Sequence, residues 1–201
     1  MNFRMLRMMA LGLALSALAA LTGCSAMNAQ NPSEGLRPAN AVPDEGGMGL
    51  MLKGADVVAY FTMNKYLQGS PQFKSAHQGV AFHFASSEHK ALFDKDPARF
   101  MPQYNGFCAN GIAYGIPWGG DADSWRMVNG KLYMFGGQGS RDGWLMDEPK
   151  FMKLADGYWK DEVAGSNSFW QRSKRLVFRV PHYMSGEQLA KAVAEAKAKK
   201  P

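Results

Sequence analysis

The chain has 201 residues, with 23 Lys and Arg against 17 Asp and Glu, for a formal charge of +6. That length fits one folded domain, and the modest surplus, without an Arg/Lys cluster interleaved with aromatics, excludes a nucleic-acid surface from the expected functions. Only two cysteines occur, Cys24 and Cys108, so no Cys-x-x-Cys exists and thioredoxin-type chemistry is excluded.

At the start, Arg4 and Arg7 precede an apolar run from Met8 to Leu21, and no acid appears before Glu34. A basic start, a short apolar stretch and small residues at the cut describe a secretory signal peptide over 1–23. The run is shorter than the ~20 residues that span a bilayer. Leu21-Thr22-Gly23-Cys24 resembles a bacterial lipobox. This implies lipidation of Cys24, with palmitate among the acyl chains, as the first mature residue. Ser25 resembles the sorting pattern for the outer membrane, so the expected location is an outer-membrane anchor facing the periplasm. Cleavage removes two arginines and no acids, leaving 21 basic against 17 acidic residues, or +4. Residues 24–51, rich in Asn, Pro, Gly and Ala, read as the lipidated cysteine and a flexible tether.

The folded part begins near residue 52. Asp56 to Phe61 (DVVAYF) fits a strand or a helical turn, and Gly69-Ser70-Pro71 marks a turn. Val80, Phe82 and Phe84 alternate with Ala81 and His83, the pattern of a half-buried strand. Ser86-Ser87-Glu88 supplies a helix start, with a hydroxyl cap and an acid near the positive end of the dipole. That helix reaches about Asp94 with Leu92 and Phe93 inward, and Asp96-Pro97 opens another short one. Asn129-Gly130 between two apolar runs is the preferred type I′ hairpin turn. Asp147 to Val163 has helical spacing, with Asp147 as cap and Pro149 in the first turn. Arg175 to Val180 alternates as a strand, and Ser185-x-x-Gln188 is a capping box opening a C-terminal helix. Hairpins mixed with short helices, without a βαβ rhythm, predict an α+β fold: small antiparallel sheets packed with short helices in a single domain.

Phe82-His-Phe-Ala-Ser-Ser-Glu-His89, Asp96-Pro97 and Tyr104-x-Gly106-x-Cys108 stand in the order and spacing of the YHS domain family, which this chain resembles over about residues 52–164. Residues 165–201 lie outside the resemblance and form a C-terminal extension that could contact an envelope partner. The resemblance implies transition-metal binding, for metal handling or sensing. Many members carry a cysteine pair, whereas Cys108 is solitary here, which removes a four-thiolate zinc site.

Thiolate and imidazole ligands together suit copper as Cu(I), with zinc second. The expected ligands are Cys108, His89 and His83, with Met101 and Met134 in reserve. Tyr104, Glu88 and Tyr60 are expected as supporting residues, Tyr104 as a core aromatic with a bonded hydroxyl. The alternative is a non-catalytic envelope scaffold in which Cys108 and His89 hold the fold together. Free cysteine often packs as a small hydrophobe, and a helix histidine often bonds a backbone carbonyl. A Cys108/His89 nucleophile pair lacks a third, orienting residue.

Overall fold

A computed structural model describes residues 35–43 and 47–199. The expected leader and the lipidation at Cys24 lie outside the described residues. Part of the segment read as tether, 24–51, is built into the sheet. Strands β1 (Ala41–Pro43) and β2 (Gly49–Met51) pair antiparallel, with Ala41 opposite Met51. Strands of three residues are too short to show a period. The inward side chains Ala39, Ala41 and Met51 are nevertheless fully buried.

The DVVAYF run is a helix, α1 (Val57–Met63). Asp56 decides this locally, because its Oδ1 accepts from the N–H groups of Val58 (2.9 Å) and Ala59 (3.3 Å). Strands β3 (Ser70–His77) and β4 (Val80–Phe84) complete a four-stranded sheet in the order β1-β2-β4-β3. The β2–β4 pair is parallel and the other two are antiparallel. Pro71 falls inside the register shift between Ser70 and Lys74 on the edge strand β3, where a missing N–H is tolerated.

Helix α2 (Ser87–Lys95) packs Phe93 on Phe82 and Phe84, with ring centroids 4.7 and 5.1 Å apart. Leu92, expected inward, faces solvent. These side chains and those of α1 form one apolar cluster.

The second cluster lies on the other half of the chain. A 3₁₀ turn at Gln103–Gly106 leads into the short helix α3 (Ala109–Ile112). Strands β5 (Asp121–Val128) and β6 (Lys131–Phe135) form the expected hairpin, with Asn129 and Gly130 both at positive φ as a type I′ turn requires. Helix α4 (Gln138–Trp144) follows, then α5 (Glu148–Tyr158), capped by Asp147 and continued by a π-helical turn to Val163. Tyr133, Phe135, Trp144 and Phe151 fill the space between them. The architecture is α+β.

The expected strand at 175–180 does not form. Asn167 Oδ1 accepts from the N–H groups of Phe169 and Trp170, which starts helix α6 (Ser168–Val177). The alternation was misleading, because Leu176 and Phe178 are exposed and Val180 alone of the three is buried. Helix α7 (Gly186–Ala198) carries both hydrogen bonds of the expected capping box.

Glu162 fastens α6 to the domain. Its carboxylate accepts from Lys174 Nζ at 2.6 Å, Arg175 Nη2 at 2.5 Å and Gln171 Nε2 at 3.3 Å. Burial pushes this carboxyl up, but the Lys174 and Gln171 hydrogen bonds and the Arg175 charge outweigh it and hold it below its ordinary value. A carboxylate depressed in the folded state contributes stability above its unfolded pKa of about 4.3, and loses it as pH falls through the folded value. Amide-exchange protection across α6 is therefore expected to fall below about pH 4, and Glu162→Gln should show weakened protection at neutral pH as well.

Candidate functional site

The expected metal ligands are dispersed. His89 sits in the first turn of α2, where Ser86 Oγ accepts from its backbone N–H at 3.2 Å. Its Nδ1 meets Asp56 Oδ2 at 2.6 Å, and its Nε2 lies 3.4 Å from Thr62 Oγ1. A carboxylate only accepts, so Nδ1 carries the proton. Asp56 Oδ2 also accepts from Ala85 N–H at 2.8 Å. The ring thus clips α1 to α2, with both nitrogens engaged. His83 is half-buried on β4, its Nδ1 3.1 Å from where a Cβ on Gly54 would stand. The carboxyl of Glu88 faces solvent and is held low by its own backbone N–H and the Ser86 hydroxyl.

Neither His89 nor His83 is among the groups around Cys108. Among the described residues, no group of three or more His, Cys, Asp and Glu could hold a metal. Among the described residues the structure does not gather Cys108, His89 and His83 into one such group.

Cys108 is placed by an unusual stretch of backbone. Tyr104, Asn105 and Gly106 all take positive φ, at 53°, 51° and 79°. Two of these are not glycine, so the turn is costly in isolation. It is held from outside. Asn40 donates its side-chain amide to Gly106 O at 2.9 Å and Gly120 O at 2.8 Å, and its backbone N–H to Asn105 O at 2.9 Å. The Tyr104 hydroxyl donates to Asp156 Oδ1 at 2.8 Å. Burial first, then this acceptor, raises the Tyr104 pKa far above the ordinary phenol value. Tyr60 plays a similar part elsewhere, its buried hydroxyl donating to Ala122 O at 2.6 Å.

Backbone approach is equally close on the far side of Cys108. A Cβ on Gly120 would stand 2.6 Å from Gly106 O and 2.7 Å from Met134 Cβ, and one on Gly111 would stand 2.9 Å from Ile116 O. The thiol caps α3, with Gly111 N–H pointing at Sγ from 3.4 Å, and Ser140 Oγ lies 3.1 Å from the sulfur.

The side chain of Cys108, almost wholly buried, borders a cleft of about 770 Å³. Asn110, Tyr114, Trp118 and Ser140 line one side, and α7 supplies the other with Leu189, Ala190, Val193 and Ala194. These positions recur at helical spacing, so α7 turns one apolar stripe to the cleft. Leu189 also seats on Gly143, where a Cβ would stand only 2.6 Å from its Cδ1.

Two polar groups in this lining are buried with no hydrogen-bond partner: Tyr114 Oη and Asn110 Oδ1. Their residues are 1% and 2% exposed. Burial, with smaller effects from Tyr183 and Cys108, pushes the Tyr114 hydroxyl up to about 12, so at neutral pH it stays a donor. The His182 ring lies tilted against that of Tyr114, centroids 5.6 Å apart, and donates Nε2–H to Ala113 O at 2.8 Å.

Sequence reasoning missed Asn110, Tyr114 and Ser140. Ser140 ends Phe135-Gly-Gly-Gln-Gly-Ser, which reads as a plain loop but opens α4. Asn110, two residues beyond Cys108, was the one local signal available. No protein family, curated protein or solved structure matches the chain.

Two stability measurements separate fold from site. Asp56→Ala removes the acceptor for three backbone N–H groups and His89, and is expected to cost about 3–5 kcal/mol in urea unfolding. Tyr114→Phe deletes a hydroxyl that bonds nothing, and should leave unfolding free energy within about 0.5 kcal/mol of wild type or raise it.

Proposed function

We propose that this chain is a lipid-anchored envelope protein whose YHS-like domain binds a small, mostly apolar organic molecule in the cleft beside Cys108. The observation that carries the reading is the cleft itself, about 770 Å³, with the apolar stripe of α7 along one side. Two of its lining residues hold buried polar atoms without a hydrogen-bond partner, Tyr114 Oη and Asn110 Oδ1, and native structures leave few such groups unmet. On ligand entry they would turn a donor and an acceptor to the ligand's head. Its body would lie along Leu189, Ala190 and Val193 of α7. The cleft volume falls within the range of small-molecule sites, which are apolar with a few convergent polar groups. The lipid anchor and outer-membrane location rest on the lipobox-like Leu21–Cys24 and on Ser25.

A second reading, a soft-metal site, is favoured by one observation: Cys108 and Met184 line the same cleft. Sulfur donors of both kinds suit Cu(I). His89 has no part in it.

Binding of the apolar fluorophore N-phenyl-1-naphthylamine distinguishes the two. One site per chain is expected, blocked by alkylating Cys108 with N-ethylmaleimide and by filling the cleft with Ala190→Trp, and weakened by Tyr114→Phe. Fluorophore binding indifferent to all three changes would overturn the organic-ligand reading. Uptake of one Cu(I) per chain, lost in both Cys108→Ala and Met184→Leu but kept in His89→Ala, would establish the metal reading.

A further inference from the structure

Helix α6 is packed inside out. Its inward residues Ser168, Gln171 and Arg175 are polar, and all three are buried. Its outward residues are apolar: Trp170 is 68% exposed, Leu176 74%, Val177 72% and Phe169 37%, with Phe178 at 68% just beyond the C-terminus. At about 100° per residue, Phe169, Trp170, Ser173, Leu176 and Val177 share one face opposite the buried one, and Arg172 and Lys174 flank it on either side. The expectation that no basic run is interleaved with aromatics fails here, since residues 169–179 read FWQRSKRLVFR.

We infer that this face of α6 lies in the headgroup–acyl boundary of an anionic phospholipid bilayer. Charge supports that occupant. Residues 162–186 contain Arg172, Lys174, Arg175 and Arg179 against Glu162 alone, which pairs with Lys174 and Arg175, for a net +3. A recess of about 300 Å³ beside the apolar face is lined by Phe169, Leu176 and the guanidinium residues Arg172, Arg175 and Arg179, which suits a headgroup phosphate. Side-chain type points the same way: Trp, Phe and Leu on one face with Lys and Arg at its borders is the composition of helices that lie in the interface plane.

The chain path is consistent with this. Gly165 N–H donates to Arg37 O at 2.8 Å, so α6 begins beside the N-terminal segment. The eleven residues from Cys24 to Gly35 can span at most about 40 Å. Only this last point rests on the lipidation reading; the exposed apolar face and its charge stand without it and without the Cys108 cleft.

The test uses the full chain with vesicles of phosphatidylcholine, alone or mixed with phosphatidylglycerol, carrying brominated acyl chains that quench nearby tryptophan. Trp170 is exposed, so Trp170→Phe leaves the fold intact and serves as the blank. The expected result is quenching in the anionic vesicles that is absent from Trp170→Phe, about fivefold weaker for Arg179→Gln, and reduced by salt. Equal quenching in Trp170→Phe and wild type overturns the inference. A blue shift of Trp170 emission that grows with protein concentration in the absence of vesicles also overturns it, and makes a second copy of the chain the occupant.

Discussion

A carboxylate taken fully out of water must be met on every side, and Asp56 is the point at which this fold meets that demand. Its two oxygens receive the N–H groups of Val58, Ala59 and Ala85 and the imidazole of His89. Those donors belong to α1, to the end of β4 and to α2, so one buried charge fixes the mutual position of three elements. An uncompensated buried charge costs several kcal/mol, which makes the arrangement close to all-or-none. The same acid orients His89, whose Nδ1–H donates to Asp56 while its Nε2 lies 3.4 Å from Thr62 Oγ1.

The half of the domain that carries the cleft is held by a different device. Three consecutive left-handed residues, Tyr104 to Gly106, bring Cys108 onto the edge of β6, and such backbone persists only where its surroundings over-determine it. Asn40 is the principal restraint, tying Asn105, Gly106 and Gly120 to the N-terminal segment. This is why residues 38–43 and 47–51 belong to the fold although they read as a linker. They hydrogen-bond strained backbone and bury Ala39, Ala41 and Met51, too few and too scattered to leave a hydrophobic period.

What the sequence disclosed was local chemistry. Ser86, Asp147 and the Ser185/Gln188 pair each cap a helix through contacts two or three residues away, and Asn129-Gly130 sets its own turn. Such features depend on nothing distant, so they are legible in one dimension. The site was not, because its parts are assembled from afar: Cys108 meets Ser140 across 32 positions, and His89 finds Asp56 across 33. The motif placed His89 and Cys108 in one line of sequence, whereas in the fold His89 pairs with Asp56 and Cys108 meets Ser140 beside the cleft. The Arg175–Val180 error has a related cause. Alternation signals a strand only if one face is buried, and here Leu176 and Phe178 have no sheet to join.

Helix α6 shows how far an element can depart from the usual inside–outside rule when most of its polar face is hydrogen-bonded. Gln171 donates to Gly115 O at 2.8 Å, Arg175 reaches Glu162 and Phe178 O, and Arg172 donates twice to Pro117 O. These bonds satisfy buried polar groups that would otherwise oppose folding, so the helix docks through hydrogen bonds and ion pairs. Its apolar residues are thereby left over. An isolated exposed leucine needs no explanation, but a contiguous face of Trp170, Leu176, Val177 and Phe178 on a helix already anchored by its other side does. The fold presents that face and does not hide it. The N-terminal segment meets the chain at the root of α6, where Gly165 N–H donates to Arg37 O, and the basic recess borders the apolar face through Phe169 and Leu176.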